Sequence, residues 1–396
     1  MTHCFICIMD GKNISLLQTY KQLGKKVIVV CGQKRIPSRE GGVEIVVEEL
    51  CTRMVAQGHN VTCYNRGGHH VSGSEYDSKR LKEYKGIKLK TVPTIEKKGL
   101  AAVSSSFFAA LCCAFGQYDI VHIHAEGPAF FAWLPKMFGK KVIVTIHGLD
   151  WQREKWKSGF GSKFIHQGEK NAVKFADEII VLSKGVQDYF EKTYGRKTVF
   201  IPNGVSHHIE REPQIIKNKF GLDKDKYILF LGRLVPEKGI KYLIEAFKQV
   251  DTDKKLVIAG GSSDTSEFEN EMKELAKEDK RILFTGFVQG QELEELYSNA
   301  YVYVLPSDLE GMPLSLLEAM SYGNCCLVSD IPECVDVVED KALIFQKSDV
   351  NSLYTKLVDI CCNSSKVHSF KRTAEEFVCN KYSWNKIVKD TCCLYR

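Results

Sequence analysis

The sequence predicts an α/β protein built from two doubly wound domains that face a central cleft. Three observations carry this expectation. Short, β-branched apolar runs alternate with helical patterns, as buried parallel strands and their crossover helices do. The alternation breaks near Ser206 and restarts near Lys226. The chain's 396 residues, 44% of them hydrophobic, exceed what one ordinary core holds.

In the first half, strands are expected at KKVIVV around Val27, VTCY at Val61, IVHIH at Ile120, KVIVTI at Val142, EIIVL at Ile179 and TVFIP at Val199. Helical patterns span Val43 to Gln57, stopped by Gly58, and Phe164 to Phe175. After a polar stretch with Pro213 and Gly221, strands recur at YILFLG, KLVIAG, RILFTG, AYVYVLP, CCLVSD and ALIF. The expected organisation is an extension over 1–24, a first domain over 25–206, a linker over 207–225, a second domain over 226–380 and a closing helix over 381–396. No apolar run reaches the twenty or so residues of a membrane span, and the first residues lack a basic leader, so a cytoplasmic location is expected.

Charge divides the chain. Up to Ser206 there are 30 Lys+Arg against 18 Asp+Glu, net +12; the remainder has 25 against 31, net −6. A basic first half suggests an anionic acceptor or surface. Its densest stretch, Lys79 to Lys98, precedes the apolar segment Gly99 to Phe115 and reads either as a solvated loop before a core helix or as a patch that rests on an anionic membrane face. The 15 cysteines are odd in number and sit mostly in apolar runs, which favours buried thiols over a disulfide framework. Cys4-x-x-Cys7 has metal-like spacing but no second pair at zinc-site distance, so no metal site is expected.

Ligands of open α/β sheets bind beyond the carboxyl ends of the strands, so the turns there are the candidate site. Gly41-Gly42 opens a helix, where bare backbone can approach a phosphate, with Arg35 and Arg39 beside it; a tight turn is the simpler alternative. His147, in TIHGLDW, follows a buried strand and can bond a substrate hydroxyl or the backbone. Arg233 and Lys238, in LGRLVPEKG, are spaced to converge on a diphosphate. In SDLEGMPLSLLEAM, Glu310 stands at a strand-to-helix turn and Glu318 about two helical turns on, with Gly311, Met312 and Pro313 opening the helix. The two carboxylates can grip sugar and ribose hydroxyls; alternatively, Glu318 is a salt-bridge partner for Lys238.

These segments, in order with DEIIVLSKGV, IPNGV, LVIAGG and FTGFV, resemble the family 4 glycosyltransferases, retaining enzymes of the GT-B fold with two Rossmann-like domains. The likeness runs from about Lys25 to the C-terminus. RIPSREGGVEIVVEEL and HGLDWQREKW resemble the bacterial capsular and exopolysaccharide subgroup that includes rhamnosyltransferases. The resemblance implies that Arg233 and Lys238 neutralise the donor diphosphate and that Glu318 holds the ribose. It implies that Glu310 grips the donor sugar with the N–H groups of Gly311, Met312 and Leu314, and that His147 binds a sugar hydroxyl. The Gly41-Gly42 turn would approach the phosphates, and Gly286-Phe287-Val288 would flank the base. It further implies front-face transfer from a nucleotide-diphosphate sugar, with YSWNKIVKDTCCLYR as the helix that packs back on the first domain; no metal or cofactor is expected, because the two cations do a metal's work. The basic first half, for its part, points to a glycan or lipid-diphosphate-linked acceptor, at the inner membrane face. The competing readings are a nucleotide-sugar 2-epimerase of the same fold and a non-catalytic scaffold subunit. A dehydrogenase is disfavoured by the lack of G-x-G-x-x-G, and nucleic-acid binding by the lack of any recognised module.

Overall fold

The computed structural model describes residues 24–39, 41–68, 81–97, 99–152, 159–261 and 266–396. Residues 1–23, with Cys4 and Cys7, and the ends of the basic stretch at Lys79, Arg80 and Lys98 lie outside the described residues.

The first half forms β1 (Val27–Cys31), α1 (Gly42–Ala56), β2 (Asn60–Arg66), β3 (Glu83–Tyr84), β4 (Ile87–Val92) and α2 (Leu100–Phe115). It continues through β5 (Ile120–His124), α3 (Glu126–Ala129), α4 (Trp133–Met137), β6 (Lys141–Ile146), α5 (Gly159–Phe175), β7 (Glu178–Val181), α6 (Lys184–Tyr194) and β8 (Val199–Phe200). The sheet order is β3-β4-β2-β1-β5-β6-β7-β8, parallel except at β3 and β4. β1 and β5 are buried along their whole length, which is why they read as continuous apolar runs rather than as alternation.

One expectation fails here. The described part of the basic stretch is neither a loop nor wholly solvated: it folds into the β3–β4 hairpin at the sheet edge. Ile87, Leu89 and Val92 are buried while Lys88 and Lys90 face outward, an alternation that marks a half-buried strand. The edge strand itself, β3, is only two residues long, and a very short edge offers little for another chain to pair with.

The second half forms α7 (Ile215–Phe220), β9 (Tyr227–Leu231), α8 (Ile240–Phe247), β10 (Lys255–Ala259), α9 (Glu267–Ala276), β11 (Ile282–Gly286) and α10 (Gly290–Asn299). It then runs through β12 (Val302–Leu305), α11 (Leu314–Ser321), β13 (Cys325–Ser329), α12 (Pro332–Val338), β14 (Leu343–Phe345), α13 (Val350–Cys362), α14 (Ser364–Lys381) and α15 (Trp384–Cys393). Its sheet is fully parallel, in the order β11-β10-β9-β12-β13-β14. The polar stretch 207–225 is not irregular throughout, because it carries α7. That helix is held to the second domain by the Glu295 carboxylate, which accepts from the N–H groups of Ile215 and Ile216 at 2.7 and 3.1 Å.

Strand order reverses between β1 and β5 in one sheet and between β9 and β12 in the other, and crevices open at such points. α15 returns to the first domain and packs against α1. There Trp384 and Arg53 make a cation–π contact at 5.5 Å, and Val205 N–H bonds Tyr382 O at 2.8 Å. Trp384, Ile387, Val388 and Tyr395 belong to one apolar cluster that includes residues of both sheets. Every cysteine among the described residues is a free thiol.

Between α3 and α5 lie two buried carboxyl groups, Glu126 and Glu169, each 0% exposed. Glu169 accepts from the hydroxyls of Tyr189 and Tyr194, and Glu126 accepts from Asp150 N–H at 3.0 Å. Burial, with the charges of Asp150 and Glu169 adding to it, pushes the Glu126 carboxyl well above the ordinary range. A carboxyl raised on folding binds its proton more tightly in the native state. Stability therefore falls as pH rises from the ordinary carboxylate range through the raised value. Glu126→Gln is expected to stabilise the protein at pH 8 by about 1–3 kcal/mol and to flatten that decline; chemical denaturation at pH 5 and pH 8 checks both, and an unchanged pH slope would refute the cause.

Candidate functional site

A cavity of about 460 Å³ lies between the carboxyl edges of the two sheets. The first-domain wall holds Gly41, Gly42 and His147, and the second-domain wall holds Arg233, Lys238, Val288, Glu310, Gly311, Met312, Leu314 and Glu318. The structure thus brings these residues together, with Arg39, Pro313 and Phe287 beside them, whereas Arg35 and Gly286 are not among the lining residues. Their alignment follows from topology: Arg233 follows β9 and Glu310 follows β12, the two strands that flank the reversal point.

Lys238 ends a short 3-10 turn, Pro236–Lys238, closed by Gly239 at φ +65. A Cβ on Gly239 would stand 1.9 Å from Pro306 O, so only glycine lets this turn seat against the end of β12. So seated, Lys238 Nζ donates to Glu310 Oε1 at 2.5 Å, and Ser307 Oγ donates to the same oxygen at 2.6 Å. The pair is partly buried, with side chains 13% and 9% exposed. Lys238 therefore pairs with Glu310, not with Glu318 as the alternative reading had it.

Glu318 is the fifth residue of α11 and is partly buried. It accepts from Tyr297 Oη at 3.2 Å. Burial raises its pKa, while the Arg39 guanidinium and the Tyr297 hydrogen bond pull it down. α11 opens at Leu314, with Pro313 as the preceding cap, so Gly311 and Met312 lie in the loop before the helix rather than in its first turn. Leu316 and Leu317 N–H both bond Pro313 O, which leaves the amides of Leu314 and Ser315 as the helix-end donors that face the cavity.

The two walls touch. A Cβ on Gly311 would stand 1.7 Å from His147 O, and one on Gly148 would stand 3.1 Å from the Gly311 Cα. Asn203, after β8, donates through Nδ2 to Met312 O at 3.2 Å, and its N–H meets Met312 Sδ at 2.9 Å. Met312 is thus a bridge between domains. Gly41 caps α1 in extended conformation and Gly42 opens the helix; a Cβ on Gly42 would approach Leu314 Cδ1 to 3.3 Å. The Glu44 carboxylate already lies against Gly41 and accepts from Lys34 N–H at 2.8 Å. A phosphate at this helix end would have to displace it.

Sequence reasoning assigned no role to Asn203, Lys34, Arg66 or Asp150, all of which line the cavity. Each follows a strand of the first sheet or ends one, so the strand-end rule could have found them. Asn203 Oδ1 is buried without a hydrogen-bond partner, an acceptor suited to a ligand hydroxyl.

The description "Glycosyltransferase Family 4" matches residues 40–208, and "Glycosyl transferases group 1" matches residues 212–377. The chain belongs to the GT-B glycosyltransferases of group 1 and family 4. An uncharacterized glycosyltransferase of Methanocaldococcus jannaschii is 27% identical over 388 residues, covering 91% of this chain and 95% of that protein. The UDP-Gal:alpha-D-GlcNAc-diphosphoundecaprenol alpha-1,3-galactosyltransferase of Escherichia coli is 30% identical over 268 residues, 62% of this chain and 66% of its own. Among solved structures, sucrose-phosphate synthase of Thermosynechococcus elongatus superposes with a TM-score of 0.80 at 21% identity, over 94% of this chain and 98% of that one. It shares the fold of this glycosyltransferase.

Gly311→Ala places a methyl group where the walls meet. It is expected to lower transfer about a hundredfold, since misplacing reacting groups by an ångström costs that much, with the thermal midpoint unchanged and the radius of gyration increased. Wild-type turnover in this variant would show that the contact is dispensable.

Proposed function

We propose that this glycosyltransferase is a retaining enzyme that moves a sugar from a nucleotide-diphosphate donor to a lipid-diphosphate-linked acceptor in bacterial cell-surface polysaccharide synthesis. One observation carries the reading: Arg233, the partly buried Lys238–Glu310 pair and the start of α11 converge on a single cavity. The polysaccharide setting and the lipid-linked acceptor draw on the galactosyltransferase relative, whose name specifies such an acceptor.

Charge supplies the mechanism. When the glycosidic bond to the donor breaks, negative charge grows on the diphosphate and positive character on the anomeric carbon. Arg233 and Lys238 stabilise the first, helped by the N–H groups of Leu314 and Ser315. Glu310, held by Lys238 and Ser307, accepts from donor-sugar hydroxyls. Glu318 accepts from the ribose, Phe287 and Val288 flank the base, and His147 binds a sugar hydroxyl. The acceptor hydroxyl attacks the face from which the diphosphate leaves, and the departing phosphate oxygen takes its proton, so configuration is retained. Positive charge at Arg233 and Lys238 fills the role a metal would serve. Contact between the two walls excludes water that would hydrolyse the donor.

Lys34 and Arg66 on the first-domain wall suit an acceptor phosphate. On the outside of that domain Phe115 and Phe138 meet edge to face at 4.6 Å while 62% and 47% exposed, with Met137 72% exposed beside Phe138. The chain after the basic hairpin is tied to the start of α2, whose last residue is Phe115, since Ser104 Oγ accepts from Ile95 N–H at 3.0 Å. Exposed apolar side chains on a domain of net positive charge fit an anionic bilayer surface. No described helix is long and apolar enough to cross a membrane.

Calorimetric titration with UDP, GDP, dTDP and CDP is expected to show one nucleotide binding in the micromolar range, with that binding lost in Glu318→Ala and Arg233→Ala. Affinity should fall as pH drops through the raised pKa of Glu318, because the protonated carboxyl is a poorer acceptor. Binding of none of the four would refute the donor site. Sedimentation with phosphatidylglycerol vesicles should weaken severalfold when Lys82, Lys85, Lys88 and Lys90 are changed to Glu, and insensitivity to that reversal would refute the surface.

A further inference from the structure

Met312 belongs to the loop before α11, yet it is held from the other domain, and by two of its own atoms. Asn203 Nδ2 donates to Met312 O at 3.2 Å, and Asn203 N–H meets Met312 Sδ at 2.9 Å. One contact holds the carbonyl and the other the side chain, so the backbone and the rotamer of Met312 are set together. Both residues are buried, Asn203 at 3% and Met312 at 8% exposed. Methionine is among the most adaptable of apolar side chains, and a two-point hold on one is more than packing requires.

The segment that carries Asn203 is itself anchored where the chain crosses between domains. A Cβ on Gly204 would overlap the Trp384 ring of α15, Val205 N–H bonds Tyr382 O at 2.8 Å, and Val205 pairs with Ser383 as an isolated bridge. The Asn203 amide can face Met312 in one sense only. Oδ1 against the Met312 carbonyl would set acceptor against acceptor, so Nδ2 takes that position and Oδ1 is turned away, buried without a hydrogen-bond partner. Burying an acceptor in this state is unfavourable. An apolar residue at 203 would avoid that cost but could not hold the Met312 carbonyl.

Gly311 and Met312 both line the cavity, and among the described residues their amides have no acceptor. Gly311 has no side chain to restrict the peptide plane between them. With the carbonyl and the sulfur of Met312 fixed, that plane loses most of its freedom, and its N–H keeps one direction. We propose that Asn203 is a positioning residue for transfer: from across the cleft it holds Met312 so that the amides of Gly311 and Met312 stay aimed at the terminal phosphate side of the donor while the domains are closed. This rests on the reading that a nucleotide-diphosphate sugar occupies the cavity. Arg233, Lys238 and Glu318 all stand on the second domain, so they meet the nucleotide whether or not Asn203 is engaged. The loop amides are the donors that wait on the first domain.

Methionine methyl carbon-13 NMR on the full chain reads the hold without any ligand; the chain has 7 methionines, and Met312→Leu assigns the signal. Asn203→Ala is expected to move that signal toward the position of a freely rotating thioether methyl. Calorimetry then compares the diphosphate and the monophosphate of whichever nucleoside, among uridine, guanosine, thymidine and cytidine, binds wild type. Asn203→Ala should weaken the diphosphate about three- to tenfold, the scale of one lost hydrogen bond, and leave the monophosphate unchanged, because only the diphosphate reaches the loop amides. A merely structural role would weaken both alike. Asn203→Asp sets a carboxylate against the Met312 carbonyl and is expected to be worse than Asn203→Ala at pH 8. At about pH 5.5 the introduced carboxyl, its pKa raised by burial, becomes a donor, and the diphosphate affinity should return toward that of wild type at the same pH, with no such recovery in Asn203→Ala. Should Asn203→Ala fail to fold, Asn203→Asp at the two pH values decides by the same signal. An unmoved Met312 signal with intact nucleotide binding overturns the hold, and so does equal weakening of the two nucleotides. Binding of no nucleotide to wild type would instead refute the donor reading, and with it the purpose given to the hold.

Discussion

Backbone meets backbone where Gly311 lies on His147 O and Gly148, and the geometry of the cleft depends on that contact. A single methyl group would not fit there. The approach brings the turn after β6 against the loop before α11, so groups supplied by different sheets fall within reach of one ligand. The chain secures the contact at a distance. α15 returns from the second domain to α1, and Asn203 spans to Met312. The interdomain surface is thus partly backbone and partly a shared apolar cluster.

Electrostatics within the cleft is arranged around pairing rather than bare charge. Lys238 and Glu310 are withdrawn from solvent for the most part, so removing either partner leaves the other charge poorly compensated. The second pole is Glu318, with its hydrogen bond from Tyr297 and the attraction of Arg39. Arg39 comes from the first domain, so the charge environment of a second-domain carboxylate is completed only across the cleft. That dependence links closure to the chemistry of the donor-side wall.

Both sheets obey one rule, that ligands gather where strand order reverses, and the site follows it closely. The residues after β9 and β12 were legible in the sequence because a turn after a buried strand can point nowhere else. The strands themselves were legible for the same reason: parallel strands buried on both faces are unbroken apolar runs. The β3–β4 hairpin was harder. Its lysines dominate the local composition and hide the Ile87-Leu89 alternation, which is a weaker signal than a continuous run. Asn203, Lys34 and Arg66 went unassigned because Asn and Lys at a loop start are common, and only their convergence on one cavity distinguishes them.

The sequence by itself determined the two-domain α/β class, the strand segments and the identity of the chemical groups at the strand ends, since these depend on local periodicity and on residue type. Tertiary structure alone decided who pairs with whom. Lys238 chose Glu310 over Glu318, Glu44 occupied the Gly41 turn, and Asn203 took hold of Met312. Such partnerships join residues as many as 109 positions apart. They are selected by the cost of burying each polar group unpaired, which no local pattern records.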